Sequence, residues 1–511
     1  MKESTKKQSL IICAGMFAVY AAITLIGALN HELWFDEAQA WTIARDNNIS
    51  GIIRMMRYEG HPPLWHFILF VFSHLGFSCD IIPLISWAFS VATVALILFA
   101  LKMPLPLKAA VVFSGGFLFT NSVISRVYCL IPFFMCLIAL LYPKRREHPV
   151  LFGIAVGLLA PTHICMCGMV GILGIFMIID LFKEWKTSSV KKNVFSIIGL
   201  MYAGAGVLML VLPLIGSLSA NPITAEAEMS VSVVFTSIFM SFYNVAINSV
   251  TLADEINIFV TIGSVLLQGC LIVLLVLLRH WRRAFAAELT FIVFYIISSE
   301  IVFYTNVNRA SMFVLSFVFS LIIASEETPV FKESRPFKTD TQLIKKLLDF
   351  ISLVDKKAMK SYISILAVVL ILTTPAAAVY LFRDYTEGFC PSKSTAEYIR
   401  NNISTDSVLV TNDDSLSQLA AYLPEYRFYS VNTGRYYTYA THGAPADSNI
   451  SDIDEPPSFD EAYYVEYGFS PDYPTENPDA VFSITDGMPF YANIDHIELI
   501  PYELKFIKDW A

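Results

Sequence analysis

Asp36 and Glu37 stand side by side in Leu33-Trp34-Phe35-Asp36-Glu37-Ala38-Gln39-Ala40-Trp41, and Tyr58-Glu59-Gly60-His61-Pro62-Pro63-Leu64-Trp65 follows. An aspartate within hydrogen-bond reach of a hydroxyl can act as its general base. Asp36 is the candidate for that task, with Glu37 as a second carboxylate beside it. The competing reading is that the pair caps or solvates a surface helix, with Asp36 capping the segment Glu37–Arg45. Glu59, His61 and the more distant His163 have the side chains that a divalent metal takes as ligands. For His163 the alternative is a hydrogen-bonded histidine packed between helices. Pro62-Pro63 needs no chemistry, because proline suits the first turn of the helix that follows. Arg126 and Arg309 offer a planar fork for phosphate oxygens, with snorkelling to an interface as their alternative. Phosphate-cradling glycine loops, nucleophile elbows and long histidine metal motifs are missing from the sequence.

The elements that must position these residues are membrane helices. Of the 511 residues, 55% are hydrophobic and the mean hydropathy is +0.58, with long apolar runs recurring as far as residue 382. Such runs read as spans of a polytopic helical protein, because lipid leaves no other way to satisfy the backbone. The segments expected are 8–29, 64–78, 82–101, 107–122, 124–142, 149–165, 166–182, 194–216, 232–250, 256–278, 284–304, 310–324 and 361–382. Some are short, so about 11–13 spans are expected. The eight cysteines form no framework: only Cys390 lies in the acidic C-terminal part, and Cys165-Met166-Cys167 is too tight for a zinc pair.

Charge divides the chain. Residues 384–511 hold 22 acidic and 6 basic side chains, a net −16, against +7 for residues 1–383. This gives a membrane domain at 1–383 and an acidic domain at 384–511. Nothing in the charge pattern suits a nucleic acid. Basic clusters at Lys2 to Lys7, Lys102/Lys108, Lys144-Arg145-Arg146, Lys183 to Lys192, Arg279 to Arg283 and Lys332 to Lys360 place those loops in the cytoplasm. The N-terminus is then cytoplasmic. The 30–63 loop, Ser125-Arg126, the 217–232 loop, Asn306–Arg309 and the C-terminal domain are extracytoplasmic. That alternation requires 64–78 and 232–250 not to cross fully. Residues 325–360 form a cytoplasmic loop whose stretch 343–350 is amphipathic. In the C-terminal part, helices near 394–402 and 415–423 alternate with strands at 408–411 and 427–431, which predicts a small α/β domain. Residues 441–480, rich in Pro, Asp, Ser and Gly, are expected to be irregular.

Taken in order, Asp36-Glu37, Glu59-Gly60-His61-Pro62-Pro63-Leu64, Arg126-Val127-Tyr128-Cys129-Leu130 and Thr162-His163 resemble the polytopic GT-C glycosyltransferases. The likeness is to bacterial relatives of the dolichyl-phosphate-mannose protein mannosyltransferases and to the lipid A aminoarabinose transferase. Asn308-Arg309 resembles an Arg-Tyr element of these enzymes, with Ala310 in the tyrosine position. His61 stands where the aminoarabinose branch has lysine, as in the mannosyltransferase branch. The resemblance implies a polyprenyl-phosphate-linked sugar as donor and inversion at the anomeric carbon. It implies Asp36 as base with Glu37 beside it, and Arg126, Tyr128 and Arg309 at the donor phosphate. It also implies a metal or lipid-phosphate role for Glu59 and His163. The acceptor (a protein, a lipid or a cell-wall glycan) stays open.

Two other readings compete with this membrane-bound transferase. A transporter or flippase of lipid-linked precursors should carry charges near the midplane on broken, paired helices, whereas the charges here cluster at span ends. A catalytically silent scaffold would use the acidic, tyrosine-rich surface around Tyr436, Tyr437 and Tyr439 to hold a partner.

Overall fold

The computed structural model describes residues 2–59, 61–220, 266–301 and 312–323 in part, 342–387, 389–390, 392–411, 413–430 and 435–440, together with strands at 462–467, 480–483 and 502–507. Its first part is a bundle of apolar helices. α1 (Lys2–Asn30) leads through an extended turn into α2 (Phe35–Asp46) and α3 (Ile49–Glu59). The stretch expected as a loop therefore consists largely of two short helices. α4 (Leu64–His74) has 11 residues, about 16 Å at 1.5 Å per residue, too short to cross a bilayer core. α5 (Ile81–Ala95) continues into a π-helical turn, Leu96–Ala100.

The expected span 107–122 is broken. α6 (Leu105–Val112) ends early, and a π-helical turn at Gly116–Thr120 follows. Then come α7 (Leu130–Leu141), α8 (Pro149–Leu159), α9 (Cys167–Glu184), α10 (Val190–Ala220) and α11 (Trp281–Ile301). α12 (Gln342–Leu372) and α13 (Thr374–Glu387) meet at a break. From residue 342 the expected cytoplasmic loop is thus already helix, so the amphipathic stretch is the beginning of a long element. The expected domain division at 383/384 falls inside α13.

Six helical segments among the described residues are long and apolar enough to span a membrane: Lys7–Asn30, Ile81–Ala100, Val127–Lys144, Ile164–Glu184, Val190–Pro213 and Leu353–Thr386. The segment 232–250 and most of 256–278 lie outside the described residues.

Helix breaks inside lipid need internal partners for the freed backbone. The two central breaks supply them to each other. The Gly115 N–H donates to the Thr373 hydroxyl (2.7 Å), and the Thr374 hydroxyl donates to the Phe113 carbonyl (2.7 Å). At the end of the bundle remote from Asp36, Asp180 accepts from Arg145 (2.8 Å), Arg146 (2.8 Å) and Arg283 (2.9 Å), tying α9 and α11 to the turn after α7.

The C-terminal unit is a mixed six-stranded sheet in the order β3-β2-β1-β4-β6-β5. α14 (Ser392–Asn402) precedes β1 (Val408–Thr411), and α15 (Asp413–Tyr422) links β1 to β2 (Arg427–Ser430). β1 pairs in parallel with β2 and with β4 (Ala462–Tyr467), Val408 lying opposite Arg427 on one side and Ala462 on the other. Flanked on both sides and wholly buried, β1 reads as a continuous apolar run. β3 (Arg435–Tyr436), β5 (Ala480–Ser483) and β6 (Tyr502–Ile507) complete the sheet in antiparallel fashion. β4 lies inside the segment expected to be irregular. Its Ala462-Tyr463-Tyr464-Val465-Glu466-Tyr467 is good strand sequence, obscured by turn-forming neighbours on both sides.

α8 and α10 touch backbone to backbone. A Cβ on Gly153 would collide with the Gly199 carbonyl, and one on Gly206 with the Gly157 carbonyl. Small residues allow such approach where lipid offers no hydrophobic drive between helices. We predict that Gly153→Val or Gly206→Val lowers stability by roughly 1–3 kcal/mol or more. Gly171→Ala, with open space at its Cβ, should be tolerated. Thermal unfolding of the purified protein checks this, and equal effects at Gly171 and Gly206 would contradict it.

Candidate active site

α2 begins at Phe35, with Trp34 as the residue before its first turn. Glu37 lies at the third helical position, and its carboxylate accepts the Trp34 N–H at 3.1 Å. That reciprocal bond is half of a capping box. The capping expected of Asp36 is therefore done by Glu37. Successive residues on a helix point about 100° apart, so the neighbours part company. The Asp36 side chain is about one-third exposed, whereas that of Glu37 is fully buried.

Glu37 is saturated. Besides the Trp34 N–H, it accepts the backbone N–H of Ser125 through Oε1 and contacts His31 Nε2 at 3.0 Å through Oε2. The expectation of Glu37 as a second carboxylate at the reacting atoms does not match this enclosed position. His31 in turn places Nδ1 2.9 Å from Asp384 Oδ2 on α13. Burial by itself pushes the His31 imidazole down, but the two carboxylates outweigh it and hold its pKa at about 10. The ring is a buried cation that donates from both nitrogens, packed against Phe389 at 4.7 Å. Nearby, burial pushes the Glu32 carboxyl up to about 7.

The Glu37–Ser125 bond sets the next contact. Ser125 and Arg126 lie in extended chain just before the turn Val127–Cys129 that opens α7. Held there, Arg126 Nη1 reaches Asp36 Oδ2 at 2.5 Å. The guanidinium lies over Trp34 at 5.4 Å and Tyr128 at 5.3 Å. Its Nη2 is 3.3 Å from His61 Nε2. His61 Nδ1 donates to the Glu59 carbonyl at 2.7 Å, a tautomer that leaves Nε2 as acceptor. The fully buried His163 sits where the helix breaks at Pro161, between α8 and α9. Its ring lies 6.2 Å from that of His61 and 5.6 Å from that of Tyr128. The structure thus brings Asp36, Arg126, Tyr128, His61 and His163 together. Arg309 lies outside the described residues.

Glu59, His61 and His163 do not fit a metal ion as arranged. Glu59 Oε1 accepts from Gln39 Nε2 at 2.8 Å, both His61 nitrogens are engaged, and His163 Nδ1 accepts the Cys165 N–H at 3.2 Å. The neighbour of His61 is moreover a guanidinium, which repels a second cation. Among the described residues no group of three or more His, Cys, Asp or Glu side chains is placed to hold a metal.

Three residues the sequence reading missed hold the site together. His31 and Asp384 form the buried relay to Glu37, 353 positions apart in the chain. Gln39 is the third. Its Nε2 donates to Glu59 and to the Ala440 carbonyl (2.7 Å), while its Oε1 accepts the Ala440 N–H (2.9 Å) and the Ser417 hydroxyl. With Leu33 N–H to Tyr422 Oη at 2.8 Å and Arg45 Nη1 to the Ala420 carbonyl at 2.9 Å, it docks the sheet-bearing unit on α2. The only sequence signal for these residues was their polarity beside an apolar span.

No protein-family model matches the chain, and no curated protein matches its sequence. Solved structures do resemble it. One is the crystal structure of ArnT from Cupriavidus metallidurans bound to undecaprenyl phosphate, at 12% identity and a TM-score of 0.50, covering 96% of this chain and 97% of that one. The apo state of ArnT from the same organism matches at 11% identity and a TM-score of 0.48, covering 89% and 94%. At such identity the likeness concerns fold: the chain is a multi-pass membrane protein with a GT-C-like fold.

A His pKa raised in the folded state adds stability that is complete below the unfolded value near 6.5. It fades as pH rises through the folded value of about 10. His31→Gln should therefore lower the melting temperature most near pH 6, and the gap from wild type should close towards pH 10. His31 also lowers the neighbouring Glu32 carboxyl, which sits at about 7, so the closing of the gap is read between about pH 8 and pH 10, above the Glu32 range. A gap independent of pH would refute the buried cation.

Proposed function

We propose that the chain is an inverting glycosyltransferase that moves a sugar from a polyprenyl-phosphate donor to an acceptor hydroxyl at the membrane face carrying the α/β unit. The observation that carries this reading is the Asp36–Arg126 ion pair beside a cluster of aromatic and imidazole rings, at one end of an ArnT-like bundle. The ArnT structure was obtained with undecaprenyl phosphate, and we take the same class of lipid phosphate as the donor's carrier.

A polyprenyl chain cannot leave the bilayer, so its phosphate must be met at the membrane face. Arg126 presents a cation there, with its fork turned to Asp36. An arriving phosphate is a stronger claimant on the guanidinium, since it offers more acceptor oxygens and more charge. Its binding frees Asp36 to face the acceptor. The acceptor oxygen then attacks the anomeric carbon from the side opposite the phosphate. The bond from that carbon to the phosphate oxygen breaks, and its electron pair stays on the phosphate beside Arg126. The proton of the acceptor hydroxyl passes to Asp36. Glu37 belongs to the frame: it holds Ser125, and through it Arg126, rather than touching the reacting atoms.

Orientation follows from charge. The Arg145, Arg146 and Arg283 cluster at the far end belongs to the cytoplasm by the positive-inside rule. The site and the α/β unit are then extracytoplasmic, and the N-terminus is cytoplasmic.

Asp36→Asn preserves size and can still bond Arg126, but it is no base. Transfer from a polyprenyl-phosphate sugar should fall by about 10²–10⁴-fold with the melting temperature unchanged. Transfer at the wild-type rate would remove Asp36 from the mechanism. The arrangement around His61 further predicts that strong chelators leave transfer unchanged. Activity lost to a chelator and restored by a divalent ion would overturn that.

A further inference from the structure

His66 lies in the first turn of α4, just beyond His61 and Pro62-Pro63. Its side chain is buried, yet neither ring nitrogen has a hydrogen-bond partner in the protein. Tyr128 is in the same state, 1% exposed with an unpartnered hydroxyl. Leaving such an atom unmet is unfavourable, and native proteins hold few of them.

These atoms share one neighbourhood. The Tyr128 ring is 5.3 Å from the Arg126 guanidinium carbon and 5.6 Å from the His163 ring. His66 is within electrostatic range of both His61 and Arg126. The Tyr128 ring therefore borders the guanidinium assigned above to the lipid phosphate, and His66 follows by five residues the histidine whose Nε2 is 3.3 Å from it.

Their chemistry selects the ligand. A phosphate oxygen only accepts hydrogen bonds, and Arg126 already offers it donors. A neutral imidazole has one N–H and one lone pair, and a phenol hydroxyl both donates and accepts. A phosphate would leave the imidazole lone pair unmet, whereas a sugar hydroxyl matches either group in both directions.

We propose that His66 and Tyr128 form the donor-sugar subsite, hydrogen-bonding hydroxyls of the sugar carried by the phosphate at Arg126. This rests on the reading of Arg126 as the phosphate site. It moves Tyr128 from the phosphate, where the family resemblance placed it, to the sugar. Arg126 binds any polyprenyl phosphate, while His66 and Tyr128 decide which sugar on it is accepted.

The test is thermal unfolding of the purified full-length protein with two probes: C55 polyprenyl phosphate alone, and the same lipid phosphate bearing a pentose or a hexose. In the wild type, at least one sugar-bearing lipid should stabilise more than the bare one, by the equivalent of about tenfold tighter binding or more. His66→Phe and Tyr128→Phe should keep the response to the bare lipid and lose the extra stabilisation. The retained response also shows that each variant is folded. Should His66→Phe fail to fold, His66→Leu and Tyr128→Phe carry the test. An extra stabilisation of the same size in the variants overturns the subsite and points to internal water as the partner of these atoms. Equal wild-type responses to bare and sugar-bearing lipids also overturn it, while leaving the phosphate site intact. No wild-type response to either lipid overturns the phosphate reading and the subsite with it.

Discussion

A carboxylate sealed at the end of a membrane bundle is the constraint on which the site depends. Glu37 is fully buried, and an isolated buried charge is among the most unfavourable states a side chain can adopt. It is tolerated because a cation and two backbone N–H groups converge on it: His31, Trp34 and Ser125. Each partner belongs to a different piece of structure. His31 follows α1 and reaches α13 through Asp384, Trp34 starts α2, and Ser125 precedes α7. Removing one member would leave the others as unpaired buried charges or donors, so the pieces hold position together. Asp36 and Arg126 are the chain neighbours of two residues locked in this way, which is why they meet.

The α/β unit packs against the same frame. Gln39 uses its amide on α3 through Glu59 and on the C-terminal unit through Ala440 and Ser417. Tyr422 and Ala420 at the end of α15 add contacts to Leu33 and Arg45. On the rim, Lys393 pairs with Asp80 at 3.1 Å, but both side chains are exposed, so this pair adds little. The buried amide bonds define the docking. The C-terminal unit therefore forms one wall behind α2 and fixes the helix that carries Asp36.

Legibility followed the physical reach of each signal. Hydropathy is local and strong, so Lys7–Asn30, Ile164–Glu184 and Val190–Pro213 could be read directly. The break at 113–120 could not, because its backbone is satisfied by Thr373 and Thr374, far away in sequence. Asp36 and Arg126 stood out as charges beside apolar runs, and the structure pairs them. Glu37 looked equivalent to Asp36, since only the helix phase and the Ser125 contact separate them. Glu59-x-His61 looked like a ligand pair because neither Gln39 nor Arg126 can be seen from that short stretch. His31 looked like nothing in particular, as its meaning lies in Asp384.

These misses share a cause that bears on how the site works. At a membrane face, polar side chains that meet solvent and those that meet only each other have the same composition. The difference lies in who is satisfied. Glu37, His31, Asp384 and Gln39 have close polar partners within the protein, and they make a rigid frame. Asp36 stays partly open, paired to a guanidinium that a phosphate can claim, and the His66 nitrogens and the Tyr128 hydroxyl have no hydrogen-bond partner in the protein. A frame of groups paired with one another beside atoms left without protein partners is what preorganised binding requires, because the cost of ordering is met in folding rather than at each encounter. In this chain the division falls between adjacent residues, Asp36 and Glu37, which is the finest grain at which a helix can make it.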